Sequence, residues 1–94
     1  MPGMRMEIKY TKRFSGQYHK AGKEIQAAFT QTVDLFWADP QNPFLRNHAL
    51  QNKFAGCRSI DVTEDWRAVF KETTSGERTV ITFYLLGTHE ELYG

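Results

Sequence analysis

Five side chains in the second half of the sequence have the chemistry of acid–base catalysis or phosphate binding. They are His48, Asp65, Arg67, His89 and Tyr93. Asp65 and Arg67 lie two residues apart on a predicted strand, so their side chains face the same way, whereas Trp66 faces the opposite way. Antiparallel pairing with the strand that follows would place Asp65 beside Leu86 and Gly87. Because His89 and Tyr93 come shortly afterwards, we expect a carboxylate, a guanidinium, an imidazole and a phenol to meet at one end of a sheet.

This set of side chains is what cleavage of RNA by its own 2'-hydroxyl requires. The reaction needs a base for the hydroxyl, a cation for the phosphate and an acid for the leaving 5'-oxygen, and it needs no metal or other cofactor. Histidine suits both proton-transfer roles because its charge changes near physiological pH. Arg67 can bind a phosphate through two parallel hydrogen bonds. His48 lies in a long loop from which it can reach this site, although the sequence does not force it to.

Two other interpretations of these residues remain open on the sequence. Polar side chains at a sheet edge are more often solvated than catalytic, and Arg67 can simply pair with Asp65 or Glu72 on the surface. Alternatively, His48, Asp65 and His89 have the ligand types of a hydrolytic metal site.

Size and composition predict one domain in a reducing compartment. With 94 residues, 40% of them hydrophobic, the chain is long enough for a single domain, residues 1–94, and short for two. The lone cysteine, Cys57, cannot form an internal disulfide, and no apolar run is long enough for a membrane span or a signal peptide. We therefore expect a cytoplasmic protein.

Bulk charge is a poor signal for nucleic-acid binding in this chain. The formal net charge is +1, which is below what nucleic-acid-binding domains usually have. The segment from Met1 to Lys23 nevertheless carries six basic residues and a single acid, Glu7. Such a segment is usually a solvated face unless a partner covers it.

Hydrophobic periodicity predicts an α+β domain with the element order β-α-α-β-β-β. Alternation in residues 5–10 indicates a first strand. Thr11 and Gly22 are positioned to begin and end a first helix, and a second helix with Trp37 on its apolar face ends at Asp39 and Pro40. After an irregular loop to Lys53, three strands are expected at residues 54–62, 65–72 and 79–86. We expect the helices to pack as a hairpin on one face of a mainly antiparallel four-stranded sheet.

Four blocks of residues, in this order, resemble the YafQ-like branch of the RelE/ParE toxin superfamily. The blocks are Asn47-His48-Ala49-Leu50, Gly56-Cys57-Arg58-Ser59-Ile60, Asp65-Trp66-Arg67-Ala68-Val69-Phe70 and Gly87-Thr88-His89-Glu90-Glu91-Leu92-Tyr93. The resemblance spans the whole chain and implies the RelE/ParE-like fold with a short C-terminal helical turn. It also implies a metal-independent endoribonuclease that cuts mRNA, typically on the ribosome, and that is silenced by an antitoxin.

The resemblance further implies a role for each site residue. His48 and Asp65 correspond to residues of proton transfer and positioning, and Arg67 to an arginine that supports the phosphate site. His89 corresponds to the histidine at the leaving group, and Tyr93 to an aromatic residue that orients the RNA or stacks on it. The expected RNA-binding residues are Lys53 and Arg58. The sequence departs from the family pattern at Gln51, Asn52 and Asp61, where relatives have lysine, glycine and, in some, histidine.

The alternative within the same superfamily is a ParE-like toxin that inhibits DNA gyrase without catalysis. This binding module would use the same scaffold, but it gives no reason for His48, Asp65 and His89 to occur together. For either toxin we expect an antitoxin whose acidic or amphipathic segment covers the basic face and the sheet groove and thereby hides the site. The nuclease would also have mRNA and the ribosome as partners, and we expect no membrane partner.

Overall fold

The structure, a computed structural model, describes residues 5–94, so residues 1–4 of the predicted domain and of its basic segment lie outside the described residues. Two helices and a C-terminal helical turn accompany one sheet. The elements are β1 (Arg5–Tyr10), α1 (Lys12–Ala21), α2 (Lys23–Ala38), a 3₁₀ turn (Pro43–Leu45), β2 (His48–Ala49), a second 3₁₀ turn (Asn52–Phe54), β3 (Arg58–Asp61), β4 (Trp66–Ser75), β5 (Arg78–Thr88) and α3 (His89–Tyr93).

The predicted α+β class and the predicted element order are confirmed, with one short strand added. The sheet has five strands in the order β1-β5-β4-β3-β2. Among the strands of residues 5–94, β1 and β5 run parallel to each other and the other neighbouring pairs are antiparallel. The extra strand is β2, which lies in the segment predicted as an irregular loop. Its residues His48 and Ala49 pair with Ser59 and Arg58 of β3. The sequence missed β2 because two residues are too few to show a period of two.

The helical layer begins and ends where the sequence predicts. The Thr11 hydroxyl accepts a hydrogen bond of 3.0 Å from the Phe14 amide and caps α1, a contact that typically contributes about 1 kcal/mol to stability. Gly22 separates α1 from α2 with a φ of 92°, which a residue with a side chain rarely adopts. Trp37 was expected on the buried face of α2 but is 54% exposed, because its neighbour Phe36, 1% exposed, takes the buried position in this turn.

The core is an aromatic cluster between the helices and one face of the sheet. Phe14, Phe29 and Phe36 from the helices are buried against Phe70 and Phe83 from the strands. The Phe83 ring is central, because its centroid lies within 6.2 Å of the centroids of those four rings and of Tyr10. Trp66 packs against the same cluster and is partly buried, as predicted from its alternation with Asp65 and Arg67.

A register shift in the β4–β5 pair determines which residues meet at the end of the sheet. Val69 pairs with Leu85 and Phe70 pairs with Phe83, so Tyr84 is the extra residue of a bulge. Farther along, Trp66 pairs with Thr88. Asp65, which we expected beside Leu86 and Gly87, is therefore beside His89, two residues later in the chain.

The last residues of β5 extend past the end of β1 and leave a free strand edge. Two side chains satisfy backbone groups along that edge: Gln17 Oε1 accepts from the Leu86 amide at 2.8 Å, and Glu91 Oε1 accepts from the Thr88 amide at 2.8 Å. Unpaired edge amides recruit other strands, so these acceptors make the edge less available for pairing. None of the helices in residues 5–94 has the length and apolar character needed to cross a membrane.

Candidate active site

Asp65 and His89 meet at the corner where β4 begins and α3 starts. The His89 amide donates a hydrogen bond of 2.8 Å to the Asp65 carbonyl oxygen, and both residues are exposed to solvent. This main-chain bond continues the β4–β5 ladder by one more pair. It fixes the spacing of the two main chains at this corner, and both residues are accessible to a ligand.

Capping and packing fix the orientation of α3, which carries His89 and Tyr93. The Thr88 hydroxyl accepts from the Glu91 amide at 3.1 Å, while the Glu91 carboxylate accepts from the Thr88 amide, which makes a capping box. Leu92 is buried against Gly87, where an added Cβ would lie only 3.2 Å from the leucine side chain. A side chain at residue 87 would therefore crowd the Leu92 and Glu91 side chains of α3.

Tyr93 links the His89 corner to the middle of the sheet. Its hydroxyl donates a hydrogen bond of 3.0 Å to the hydroxyl of Ser59, which is fully buried. The tyrosine ring lies edge-on to His89, with centroids 4.9 Å apart, and edge-on to Phe54 at 5.7 Å. Tyr93 is thus half-buried and fixed at both ends, and its contact with His89 restricts the orientation of the imidazole.

Arg67 lies on the same face of the sheet but is largely enclosed. Its side chain is 11% exposed, its Nε is 3.1 Å from Asp61 Oδ1, and its Nη1 donates to the carbonyl oxygens of Thr63 at 2.9 Å and Trp66 at 3.0 Å. Asp61 and Arg67 are cross-strand partners. Arg67 therefore holds the chain reversal before β4 through these bonds, with little of its surface left for a ligand.

His48 occupies the far side of this face, on β2. It is exposed and pairs in register with Ser59, which also bonds to Tyr93. Its Nδ1 lies 2.7 Å from the carbonyl oxygen of Arg46. Since a carbonyl oxygen only accepts, Nδ1 carries the proton, and the lone pair of the neutral ring is on Nε2. His48 thus presents a proton acceptor to solvent, and Tyr93 and Ser59 connect it to His89 across the sheet.

The two predicted RNA-binding residues have different positions. Lys53 is exposed, and its Nζ lies 5.4 Å from the centroid of the Phe54 ring, which contacts Tyr93. Arg58 alternates with Ser59 on β3, so it faces the opposite side of the sheet, where its Nε donates to Asn47 Oδ1 at 2.8 Å. The structure therefore brings Lys53 toward the site and turns Arg58 away from it.

A basic groove borders this corner along the free edge of β5. It has a volume of about 540 Å³, and its lining includes Arg13 and Lys20 from α1, Lys53, Gly87 and Glu91. The charged groups of the lining are thus three cations and the Glu91 carboxylate, which also accepts in the capping box, and much of the remaining lining is apolar, including Trp66, Leu86 and Leu92. Arg13 and Lys20 belong to the basic segment noted in the sequence, which lies partly along this groove.

The predicted site residues did not include three residues of this face: Arg46, Ser59 and Phe54. Arg46 precedes the recognised Asn47-His48 pair, and its Nε donates to Asp61 Oδ2 at 2.9 Å. Asp61 was noted only as a departure from the family pattern. No local pattern in the sequence indicates the contacts of Arg46, Ser59 and Phe54, and the β3–β4 register would have indicated only that Asp61 lies beside Arg67. Among residues 5–94, no three or more His, Cys, Asp and Glu side chains are grouped so as to hold a metal ion.

Comparison with known proteins decides the family. Residues 6–94 match the family described as a bacterial toxin of type II toxin-antitoxin system, YafQ. The chain belongs to the YafQ toxin family. No curated protein sequence matches the chain.

Solved structures similar to this YafQ-family chain share its fold over nearly its whole length. YafQ from E. coli strain BL21(DE3) is 24% identical, with a TM-score of 0.74 over 96% of this chain and 100% of that one. The toxin in the E. coli DinJ-YafQ complex is also 24% identical, with a TM-score of 0.73 over 96% and 100% of the two chains. A YoeB/ParE toxin from Agrobacterium tumefaciens is 16% identical, with a TM-score of 0.72 over 89% and 99%. These similarities confirm the expected fold.

Proposed function

We propose that this YafQ-family toxin is an endoribonuclease that cleaves mRNA in the cytoplasm by general acid–base catalysis. The observation that supports this most is the corner of Asp65 and His89, two exposed titratable side chains joined through a main-chain bond of 2.8 Å. A phosphodiester docked there lies beside a basic groove and faces the same sheet surface as His48. This arrangement has the three groups that 2'-hydroxyl attack requires: a base, a cation and an acid.

In the proposed reaction, His48 Nε2 accepts the proton of the 2'-hydroxyl and the 2'-oxygen attacks the adjacent phosphorus. The bond from phosphorus to the 5'-oxygen breaks, and the His89 imidazolium donates a proton to that oxygen. The products are a 2',3'-cyclic phosphate and a 5'-hydroxyl end. Asp65 orients the reacting groups at the corner, and the chain's own residues supply every proton transfer.

The remaining site residues have supporting roles in this proposal. Arg67 supports the phosphate site by holding Asp61 and the turn before β4. Tyr93 orients His89 and offers a ring edge to the RNA. Lys53, with Arg13 and Lys20 in the groove, attracts the RNA backbone. Arg58 faces away from the site, so it contributes to RNA binding only if the RNA chain wraps around the edge of the sheet.

An antitoxin is the proposed protein partner. E. coli YafQ, similar to this chain in fold, has been solved in complex with DinJ. The basic groove beside the exposed catalytic corner suits an acidic segment of such a partner. By covering the corner, the antitoxin would block access of mRNA and of the ribosome that carries it.

The deciding experiment maps the 5' ends of messages after the chain is induced in a bacterial host. Wild type is expected to produce new 5' ends within coding regions, and His89→Ala and Asp65→Ala are each expected to reduce them about 100-fold or more. His19→Ala is the matched control, since His19 is an exposed histidine on α1, outside the site, and it should cleave like wild type. Circular dichroism of each purified variant verifies the fold.

Two outcomes would contradict the proposal. Intact transcripts together with DNA-damage signalling would indicate gyrase inhibition of the ParE kind. Full cleavage by His89→Ala and Asp65→Ala would show that these residues are not catalytic. A metal-dependent hydrolase is tested separately, because cleavage of RNA by the purified protein should be unaffected by a chelator if the mechanism is the proposed one.

A further inference from the structure

Arg46 has a backbone conformation that few arginines adopt. It follows the first 3₁₀ turn with a φ of 48° and a ψ of 46°, in the left-handed region. Its amide bonds to the carbonyl oxygen of Pro43 at 3.2 Å. Residues with side chains are disfavoured in this region, and such strained positions concentrate at functional sites. This conformation therefore indicates that the side chain or the main chain of Arg46 has a functional role.

The guanidinium of Arg46 is oriented at one end and free at the other. Its Nε donates to Asp61 Oδ2 at 2.9 Å, and its side chain is 70% exposed. Within residues 5–94 its two terminal nitrogens make no hydrogen bond. Arg67 binds the other oxygen of Asp61 but is only 11% exposed and uses Nη1 on two carbonyl oxygens. One carboxylate thus lies between two guanidinium groups, and the surplus positive charge is accessible at Arg46.

The main chain of Arg46 also orients the proposed base. Its carbonyl oxygen accepts from His48 Nδ1 at 2.7 Å, which leaves the lone pair of the neutral ring on Nε2. Arg46 therefore does two things. Its carbonyl oxygen sets the tautomer of His48, which lies two residues later in the chain, and its side chain carries an oriented, accessible guanidinium. A guanidinium with free terminal nitrogens binds two phosphate oxygens at once.

We propose that Arg46 binds the phosphate that is cleaved and that Asp61 is the positioning residue that holds its guanidinium. This inference rests on the proposed RNA cleavage, and it makes Arg46 the phosphate-binding cation in place of Arg67, the residue expected from the sequence. Arg67 then acts through Asp61. The aspartate at residue 61, where some relatives have histidine, is accounted for by its bonds to both arginines.

The test is steady-state cleavage of an RNA oligonucleotide that contains a cleavage site mapped for the wild-type protein. The variants are Arg46→Gln, Arg46→Lys and Asp61→Asn, with Arg5→Gln as the matched control. Arg5 is an exposed arginine on β1, at the opposite edge of the sheet. Arg46→Gln is expected to lower kcat about 100-fold with a small change in KM, since the contact is strongest in the transition state. Arg46→Lys and Asp61→Asn are expected to lose about 10-fold, and Arg5→Gln to match wild type.

A phosphorothioate substrate supplies a readout that a purely structural role would not change. Substituting sulfur for either non-bridging oxygen should slow wild type unequally, because Arg46 contacts those oxygens in a fixed orientation. Arg46→Gln should lose most of that stereochemical preference. The thermal unfolding midpoint of Arg46→Gln should equal that of wild type, because an exposed side chain contributes little to stability.

Distinct results would overturn this inference and the proposed function. If wild type cleaves and His89→Ala does not, but Arg46→Gln cleaves at the wild-type rate, Arg46 is not the phosphate-binding residue and the nuclease proposal stands. If Arg46→Gln raises KM with kcat unchanged, Arg46 only attracts RNA, and the inference is again wrong. If wild type cleaves no RNA, the proposed function itself fails.

Discussion

The two faces of the central strands differ in the kind of contact that their side chains make. On the face covered by α1 and α2, Ile60, Ala68, Phe70 and Phe83 are buried and contribute shape and apolar area. On the opposite face, alternate residues of the same strands, Ser59, Asp61 and Arg67, make specific hydrogen bonds and ion pairs. In residues 5–94 no buried side-chain nitrogen or oxygen lacks a hydrogen-bond partner.

This difference separates what stabilises the fold from what the site depends on. Apolar contacts are non-directional, so a core tolerates changes of detail if its volume is kept. Polar contacts at the corner depend on the strand register and on the position of α3. Substitutions on the helical face should therefore change the free energy of unfolding most, while substitutions on the open face should change cleavage more than stability.

The largest expected effect on stability is that of Phe83→Ala. Phe83 is fully buried and contacts five other rings, and truncation of such a residue typically costs about 3–5 kcal/mol. Urea denaturation should show this loss. Phe44→Ala is the matched control, because Phe44 is 85% exposed and should change the free energy of unfolding by less than about 0.5 kcal/mol. Similar losses for both variants would mean that the aromatic cluster does not dominate stability.

A smaller stability effect but a large effect on cleavage is expected for Gly87→Ala. The added methyl group would lie 3.2 Å from both the Leu92 side chain and the Glu91 carboxylate oxygen, so these side chains of α3 must move by a few tenths of an ångström. Overpacking of this kind typically costs about 1–3 kcal/mol. Since α3 carries His89 and Tyr93, RNA cleavage should fall more than the stability loss explains. Gly16→Ala, which meets no atom within 4 Å, should retain cleavage; equal activity of the two variants would contradict this role of Gly87.

The sequence predicted the fold well because strong periodicity and clear helix ends are local signals. Thr11 and Gly22 bound α1 as expected, and the alternation around Trp66 gave the correct faces of β4. The predicted strand at residues 54–62 was too long, since Phe54 lies in a 3₁₀ turn and β3 begins at Arg58. An apolar run alone does not distinguish such a turn from a strand.

The site was predicted less completely, because it depends on register. The sequence indicated that the end of β5 lies near Asp65, but the bulge at Tyr84 and the turn before Trp66 determine which residues pair. A slip of one residue changes the face of every side chain that follows. The ion pairs of Asp61 with Arg46 and Arg67 join residues 15 and 6 positions apart, and no local pattern specifies them.

A moderate effect is expected for Tyr93→Phe, which removes only the hydroxyl that donates to Ser59 at 3.0 Å. Loss of this bond leaves the buried Ser59 hydroxyl without that partner and typically costs about 1 kcal/mol. The ring contact with His89 is kept, so cleavage should fall only a few-fold. A double-mutant cycle with Ser59→Ala measures the pair directly. Strictly additive losses in the two single variants would show that the hydroxyl groups do not interact, and the proposed link between α3 and β3 would be wrong.

The smallest effect is expected for Glu7→Gln at the β1 edge, remote from both the core and the site. Hydrogen bonding to Arg78, with the charges of Arg78 and Lys9, lowers the pKa of Glu7 below its usual value. A carboxylate with a lowered folded-state pKa stabilises the fold above its unfolded-state pKa, and that contribution is lost as the pH falls through the folded-state pKa. The stability difference between wild type and Glu7→Gln should therefore be present near neutral pH and vanish in acid. Thermal unfolding from about pH 7 to about pH 2 measures it, with Glu64→Gln as the exposed-glutamate control. The difference should be small, because Glu7 is solvated and its ion pair is screened. A stability difference that does not change with pH would contradict this prediction and would indicate that the substitution acts through the strand pairing of residue 7.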